Sequence, residues 1–100
     1  MTKKYLSMNL TQEQLERIRK LAELTIPPRL IANYLEVDEI DFIEDINIEG
    51  SEARRAYMSG MMKQMMDTRA AVIKSAQNGS NPAQSELLKF LNEQIYLMNK

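Results

Sequence analysis

Apolar residues recur along this chain at helical spacing and nowhere alternate in the manner of a strand. Leu15, Ile18, Leu21 and Ala22 form one stripe. Thr11, with Gln14 three positions on, makes a capping box at its start: the hydroxyl accepts from a backbone N–H and the amide oxygen reaches back. The pattern predicts a first helix from Gln12 to about Leu24. Pro28 suits the first turn of a second helix, because its missing N–H has no helical partner there. That helix is expected from Pro28 to Leu35, with Leu30, Ile31, Tyr34 and Leu35 as its apolar positions. Asp38 then caps a third, in which Ile40, Phe42, Ile43 and Ile46 are apolar. Residues 1–9 show no clear period and are expected to form a mobile arm.

The second half of the chain is patterned differently. Ser51 can cap a helix that meets no breaker until about Gln77, roughly 40 Å at 1.5 Å per residue. Asn78-Gly79 ends it, glycine being the usual residue for the left-handed position after a helix. Asn81 is expected to cap a last helix, with Pro82 at its first position. Ala83, Leu87, Leu88, Leu91, Ile95 and Met98 supply that helix's apolar side. Two helices joined by a tight turn make an antiparallel hairpin. The expected fold is all-α: a three-helix, helix-turn-helix-like unit over residues 1–50, then a long helical hairpin over 51–100.

Composition narrows the chemistry. The 100 residues contain no cysteine and no histidine. Disulfides, thiolate metal sites and the commonest general base are therefore absent. No paired carboxylates share a pocket by spacing, and no glycine-rich phosphate loop exists. A non-enzymatic protein without metal or cofactor is expected. No apolar run approaches the roughly 20 residues of a membrane span, so no membrane partner is expected either, and the protein should be soluble and intracellular.

Ile31-Ala32-Asn33-Tyr34-Leu35-Glu36-Val37-Asp38 fits the core of a helix-turn-helix. Ala32 is the small residue where two helices cross closely, and Ile31, Leu35, Val37, Phe42 and Ile46 can hold their angle. Glu36 replaces the usual turn glycine, so a distorted or longer turn is expected. The helix that would enter the major groove reads Glu39-Ile40-Asp41-Phe42-Ile43-Glu44-Asp45, with no basic residue. Affinity for DNA comes largely from Lys and Arg neutralising phosphates. DNA contact would thus fall to Lys3, Lys4, Arg17, Arg19, Lys20 and Arg29, with Asn33 reaching a base or phosphate. Affinity per subunit would be weak, so several copies would have to act together. The alternative is a helical trio kept for packing or protein contact.

The net charge of −1 divides unevenly. Residues 1–50 hold 6 basic and 10 acidic groups; residues 51–100 hold 7 and 4. The hairpin is thus net basic, and its Arg54, Arg55, Lys63, Arg69 and Lys74 offer a rival surface for nucleic acid. It also carries a methionine stripe, Met58, Met61, Met62, Met65 and Met66, continued by Val72 and Ile73. Such flexible, polarizable side chains fill irregular gaps and suit adaptable binding surfaces. Packing on Leu87, Leu88, Leu91 and Ile95 is the simpler account of the stripe. Yet five methionines exceed what one partner helix covers, so a homo-oligomer assembled through the hairpin is expected.

Ala56-Tyr57-Met58-Ser59-Gly60, followed by Arg69, Ala76, Asn78-Gly79-Ser80, Ala83 and Leu87-Leu88, resembles the central hairpin of small terminase subunits of tailed bacteriophages. Those proteins place a helix-turn-helix unit before such a hairpin, in the order seen here, and the likeness spans about residues 10–95. The resemblance implies a DNA-packaging component of the infected bacterium's cytoplasm. Such a component binds duplex viral DNA, assembles into a ring and regulates the large terminase subunit, which holds the ATPase and nuclease. A further segment that many members carry after the hairpin is expected to be absent or short. A protein-only interaction module and a dimeric helix-turn-helix transcription regulator are the alternatives.

Overall fold

The computed structural model describes residues 8–100, which form five helices and no strand. They are α1 (Gln12–Glu23), α2 (Pro28–Leu35), α3 (Glu39–Ile46), α4 (Glu52–Gln77) and α5 (Asn81–Met98). The fold is all-α, and the chain divides into two compact units, Met1–Gln64 and Met65–Lys100.

In the first unit, α1 starts at the expected capping box. Gln14 N donates to Thr11 Oγ1 at 3.0 Å, and Thr11 N donates to Gln14 Oε1 at 2.9 Å. Asp38 caps α3 by accepting from Asp41 N at 2.9 Å. Ser51 does so for α4, accepting from Arg54 N at 3.0 Å. Its own hydroxyl donates to the Asp45 carbonyl at 2.7 Å, tying the end of α3 to the start of α4. Ile18, Ile31, Ala32, Phe42, Ile46 and Ala53 form the buried core. Met8 of the expected arm packs against it, as does Leu10 beyond the arm; residues 1–7 of the arm lie outside the described residues.

Packing in this unit sorts the apolar positions and corrects one expectation. Of the apolar positions on α2 and α3, Leu30, Tyr34 and Ile40 are exposed. At about 100° per residue Leu30 and Tyr34 fall opposite Ala32, and Ile40 falls opposite Phe42, both of which are buried. The turn after α2 is neither distorted nor lengthened: Glu36 itself adopts the left-handed conformation, at φ 60 and ψ 41. Val37 N then donates to Ala32 O and Glu36 N to Asn33 O, the paired bonds that close a helix through a left-handed residue. Thr25 ends α1 in the same way, at φ 65, with Ile26 N donating to Leu21 O.

The second unit is the hairpin of the α4 residues from Met65 onward with α5. Gly79, at φ 96, closes α4, and Ser80 N donates to Ser75 O at 3.1 Å. Ser80 rather than Asn81 caps α5, accepting from Ala83 N at 3.2 Å; Asn81 is already helical. Gln84 Nε2 donates to Ala76 O at 3.1 Å beside the turn, and Arg69 pairs with Glu93 farther along, so the helices run antiparallel.

Candidate interaction surfaces

Pairing within the first unit decides how free its basic residues are. Arg17 bonds Glu13 at 2.9 Å across one helical turn. Arg19 bonds Glu16 and faces Glu23 at 3.9 Å. The Arg19 hydrogen bond, helped by the charges of Arg19 and Lys20, holds the Glu16 carboxyl below its ordinary range; the same pairing raises Arg19. Arg29 faces Glu39 at 3.6 Å. Lys20 is exposed on the last turn of α1, and Asn33 is exposed one turn after Arg29 on α2. Arg17 and Lys20 share an α1 face with Glu13 and Glu16, so that face is mixed in sign. Lys3 and Lys4 lie outside the described residues.

The helix in the groove-reading position turns Ile40, Asp41 and Glu44 outward, while Phe42, Asp45 and Ile46 are buried. Ile40 is 68% exposed, an apolar residue between carboxylates. A face of that composition suits a protein contact better than a phosphate backbone.

The start of α4 is occupied by packing that the sequence reading did not anticipate. Arg54 donates to the Ile46 carbonyl at 2.9 Å, satisfying the C-terminal end of α3 instead of facing solvent. Tyr57 Oη donates to the Ile26 carbonyl at 3.2 Å, and Gln64 Nε2 donates to the Glu23 carbonyl at 2.7 Å. Between them lies Gly60, which is buried. A Cβ there would stand 2.1 Å from Arg19 O and 2.8 Å from Ala22 Cβ. Spacings of three and four put Tyr57, Gly60 and Gln64 on one stripe of α4, which lies against the end of α1. Their regular spacing was the available signal. Lys63 faces Glu23 at 3.5 Å beside this stripe.

In the hairpin unit, Ala83, Leu87 and Phe90 of α5 are half-buried, as are Arg69 and Val72 of α4; Ala76 is buried. The Arg69 guanidinium lies 4.2 Å from the Phe90 ring centroid and 3.5 Å from Glu93. This is a cation–π contact and an ion pair in one place. A groove of about 470 Å³ runs between the helices, lined by Met65, Ile73, Leu87, Leu91 and Leu97 among others. No residue of α5 is buried. Met58, Met61, Met62, Met65, Met66, Ile73, Leu88, Leu91 and Ile95 are all exposed, Leu88 by 60% and Ile95 by 55%. Of the expected oligomerisation residues only Val72 is half-buried, so packing within the chain leaves the methionine stripe largely uncovered.

Among the described residues no three carboxylates converge as metal ligands. Among them, too, no helix is long and apolar enough to cross a membrane. No protein-family model, curated protein or solved structure matches the chain.

Proposed function

We propose that this chain is a non-enzymatic, self-assembling DNA-packaging adaptor of the small-terminase kind. Its hairpin joins copies, the assembled oligomer holds duplex DNA, and the large terminase subunit in the host cytoplasm is its partner. One observation carries the assembly step: α5 is 18 residues long, amphipathic, and has no buried residue. A lone helical hairpin of this size cannot offset the ordering of its own chain with so little burial, so its exposed side chains belong against another surface. The order of a three-helix unit before a hairpin is the order the resemblance implies. DNA contact falls to the N-terminal lysines, Lys20 and Arg29, multiplied over copies.

A second reading has its own support. Ion pairs occupy Arg17, Arg19 and Arg29, and the outward face of α3 is acidic and apolar. Both favour a module that binds only protein. Retention of duplex DNA by the full-length chain separates the two. The adaptor reading predicts binding at about 50 mM salt that is largely lost by about 200 mM, because phosphate contacts release counterions. It also predicts that Lys20→Ala with Arg29→Ala flattens the salt dependence. If the assembled chain fails to shift DNA at low salt, the protein-only module takes its place.

A further inference from the structure

We infer that the outward face of α3, with the apolar cleft beside it, docks a cationic amphipathic segment of another protein. This surface belongs to the first unit, and its role depends on neither self-assembly nor DNA binding. A cleft of about 430 Å³ lies between the start of α2 and the end of α3, lined by Pro27, Pro28, Arg29, Ile43, Ile46 and Asn47. That size falls within the range of about 300–1,000 Å³ usual for binding clefts. Its two polar side chains are engaged: Arg29 faces Glu39 at 3.6 Å, and Asn47 Nδ2 donates to the Ile43 carbonyl at 3.0 Å. The rest of the lining is proline and isoleucine.

Ile40 extends this cleft outward. Ile40, Ile43 and Asn47 follow one another at three and four positions, so they share one face of α3. Ile43 is half-buried along the cleft, whereas Ile40, one turn before it, is 68% exposed. On the side of Ile40 away from Ile43, Glu44 and Asp41 follow at about 40° and about 100° around the helix. Both are exposed, and among the described residues no ion pair engages either carboxylate. Crossing α3 from the cleft, a ligand therefore meets apolar surface first and negative charge second.

Charge names the occupant. Residues 36–52 hold eight acidic groups and no basic one. Asp38 caps α3, Glu39 pairs with Arg29 and Asp45 is buried, so Asp41 and Glu44 are the carboxylates that α3 presents outward. Such a face repels a phosphate backbone and an anionic membrane surface alike. It attracts lysine or arginine, and the cleft takes an aliphatic or aromatic side chain beside them. Ile43 and Asp41 lie about 160° apart around α3, wider than one side chain or a small cation covers. The ligand is accordingly a length of chain that carries both kinds of residue.

The test measures, by fluorescence anisotropy, the binding of two labelled synthetic peptides to the full-length chain. Both carry leucine at helical spacing; one has lysine on its polar face and the other glutamate. The lysine peptide should bind at least about tenfold more tightly than the glutamate peptide. Ile40→Ser and Glu44→Lys, made separately, should each weaken the lysine peptide about fivefold. Both positions are exposed, and a lysine in the last turn of α3 suits the helix dipole, so circular dichroism should show an unchanged fold. Equal binding of the two peptides overturns the proposal. So does a lysine peptide whose affinity neither substitution changes, because its site is then elsewhere, or one that fails to bind at about 1 mM. If Glu44→Lys lowers the mass of the chain without peptide, a second copy occupies the face and the proposal falls. Retention of duplex DNA beside any of these failures leaves the adaptor reading standing.

Discussion

Glu36 occupies a conformation that favours glycine, and its side chain gains nothing visible in return: it is exposed, and its backbone N–H alone helps close α2. An L residue there costs about 1 kcal/mol relative to glycine. Glu36→Gly is therefore expected to stabilise the protein, raising the melting temperature by about 4–8 °C per kcal/mol, partly offset by glycine's greater freedom when unfolded. Thr25 stands in the same conformation and is β-branched, so Thr25→Gly should act in the same direction. Thermal and urea unfolding check both. Gly60 is the opposite case. A methyl group placed 2.1 Å from Arg19 O must push α1 and α4 apart, and Gly60→Ala should cost about 1–3 kcal/mol. A variant as stable as the parent would contradict that close approach. At Glu16, the hydrogen bond from Arg19 lowers the folded pKa below the ordinary 4.5. The stabilisation is present above the unfolded value and fades as pH falls through the folded one. In a carboxyl titration followed by NMR, Glu16 should stay ionised below the usual range, and Arg19→Gln should raise it.

At the scale of elements, helix starts were legible because each is written in a few adjacent side chains. Thr11 with Gln14, Asp38 and Ser51 cap where their chemistry indicates. The Gly79 stop was legible for the same reason. Two stops were not: Thr25 and Glu36 end helices through backbone conformations that their side chains do not advertise. Which apolar residues face outward was not legible either. On an eight-residue helix such as α2, periodicity cannot tell Leu30 and Tyr34 from core positions, and only packing against α1 and α3 decides. The Gly60 contact depends on a residue about 40 positions away, beyond any local pattern. Ser51 shows how elements are joined. Its hydroxyl donates to the Asp45 carbonyl and caps α4, and the residue is buried. Ser51→Ala should cost about 1–2 kcal/mol by removing a cap and leaving a carbonyl short of a donor. Ser51→Thr, which keeps the hydroxyl, should lose less. Equal losses in urea unfolding would show that packing, not the hydroxyl, matters there.

For the molecule as a whole, near-zero net charge averages an acidic first half and a basic second half. Much of that basic charge is spent inside the units: Arg54 on the Ile46 carbonyl, Lys63 on Glu23, Arg69 on Glu93 and Phe90. Of the candidate DNA residues, Arg17, Arg19 and Arg29 are similarly engaged, which is why phosphate binding is assigned to an assembly rather than to one subunit. The candidate assembly surface was legible as a methionine stripe and a leucine stripe, whereas the division of α5 into two apolar faces required the hairpin's geometry. An uncovered face of this size is the feature on which the functional reading turns. Its most direct test is the mass of the unmodified chain by sedimentation equilibrium, without DNA, from about 1 to 100 µM, the range over which linked association becomes visible. The account predicts a mass that rises with concentration to at least twice 11.6 kDa. A folded chain that remains at 11.6 kDa throughout that range would contradict it.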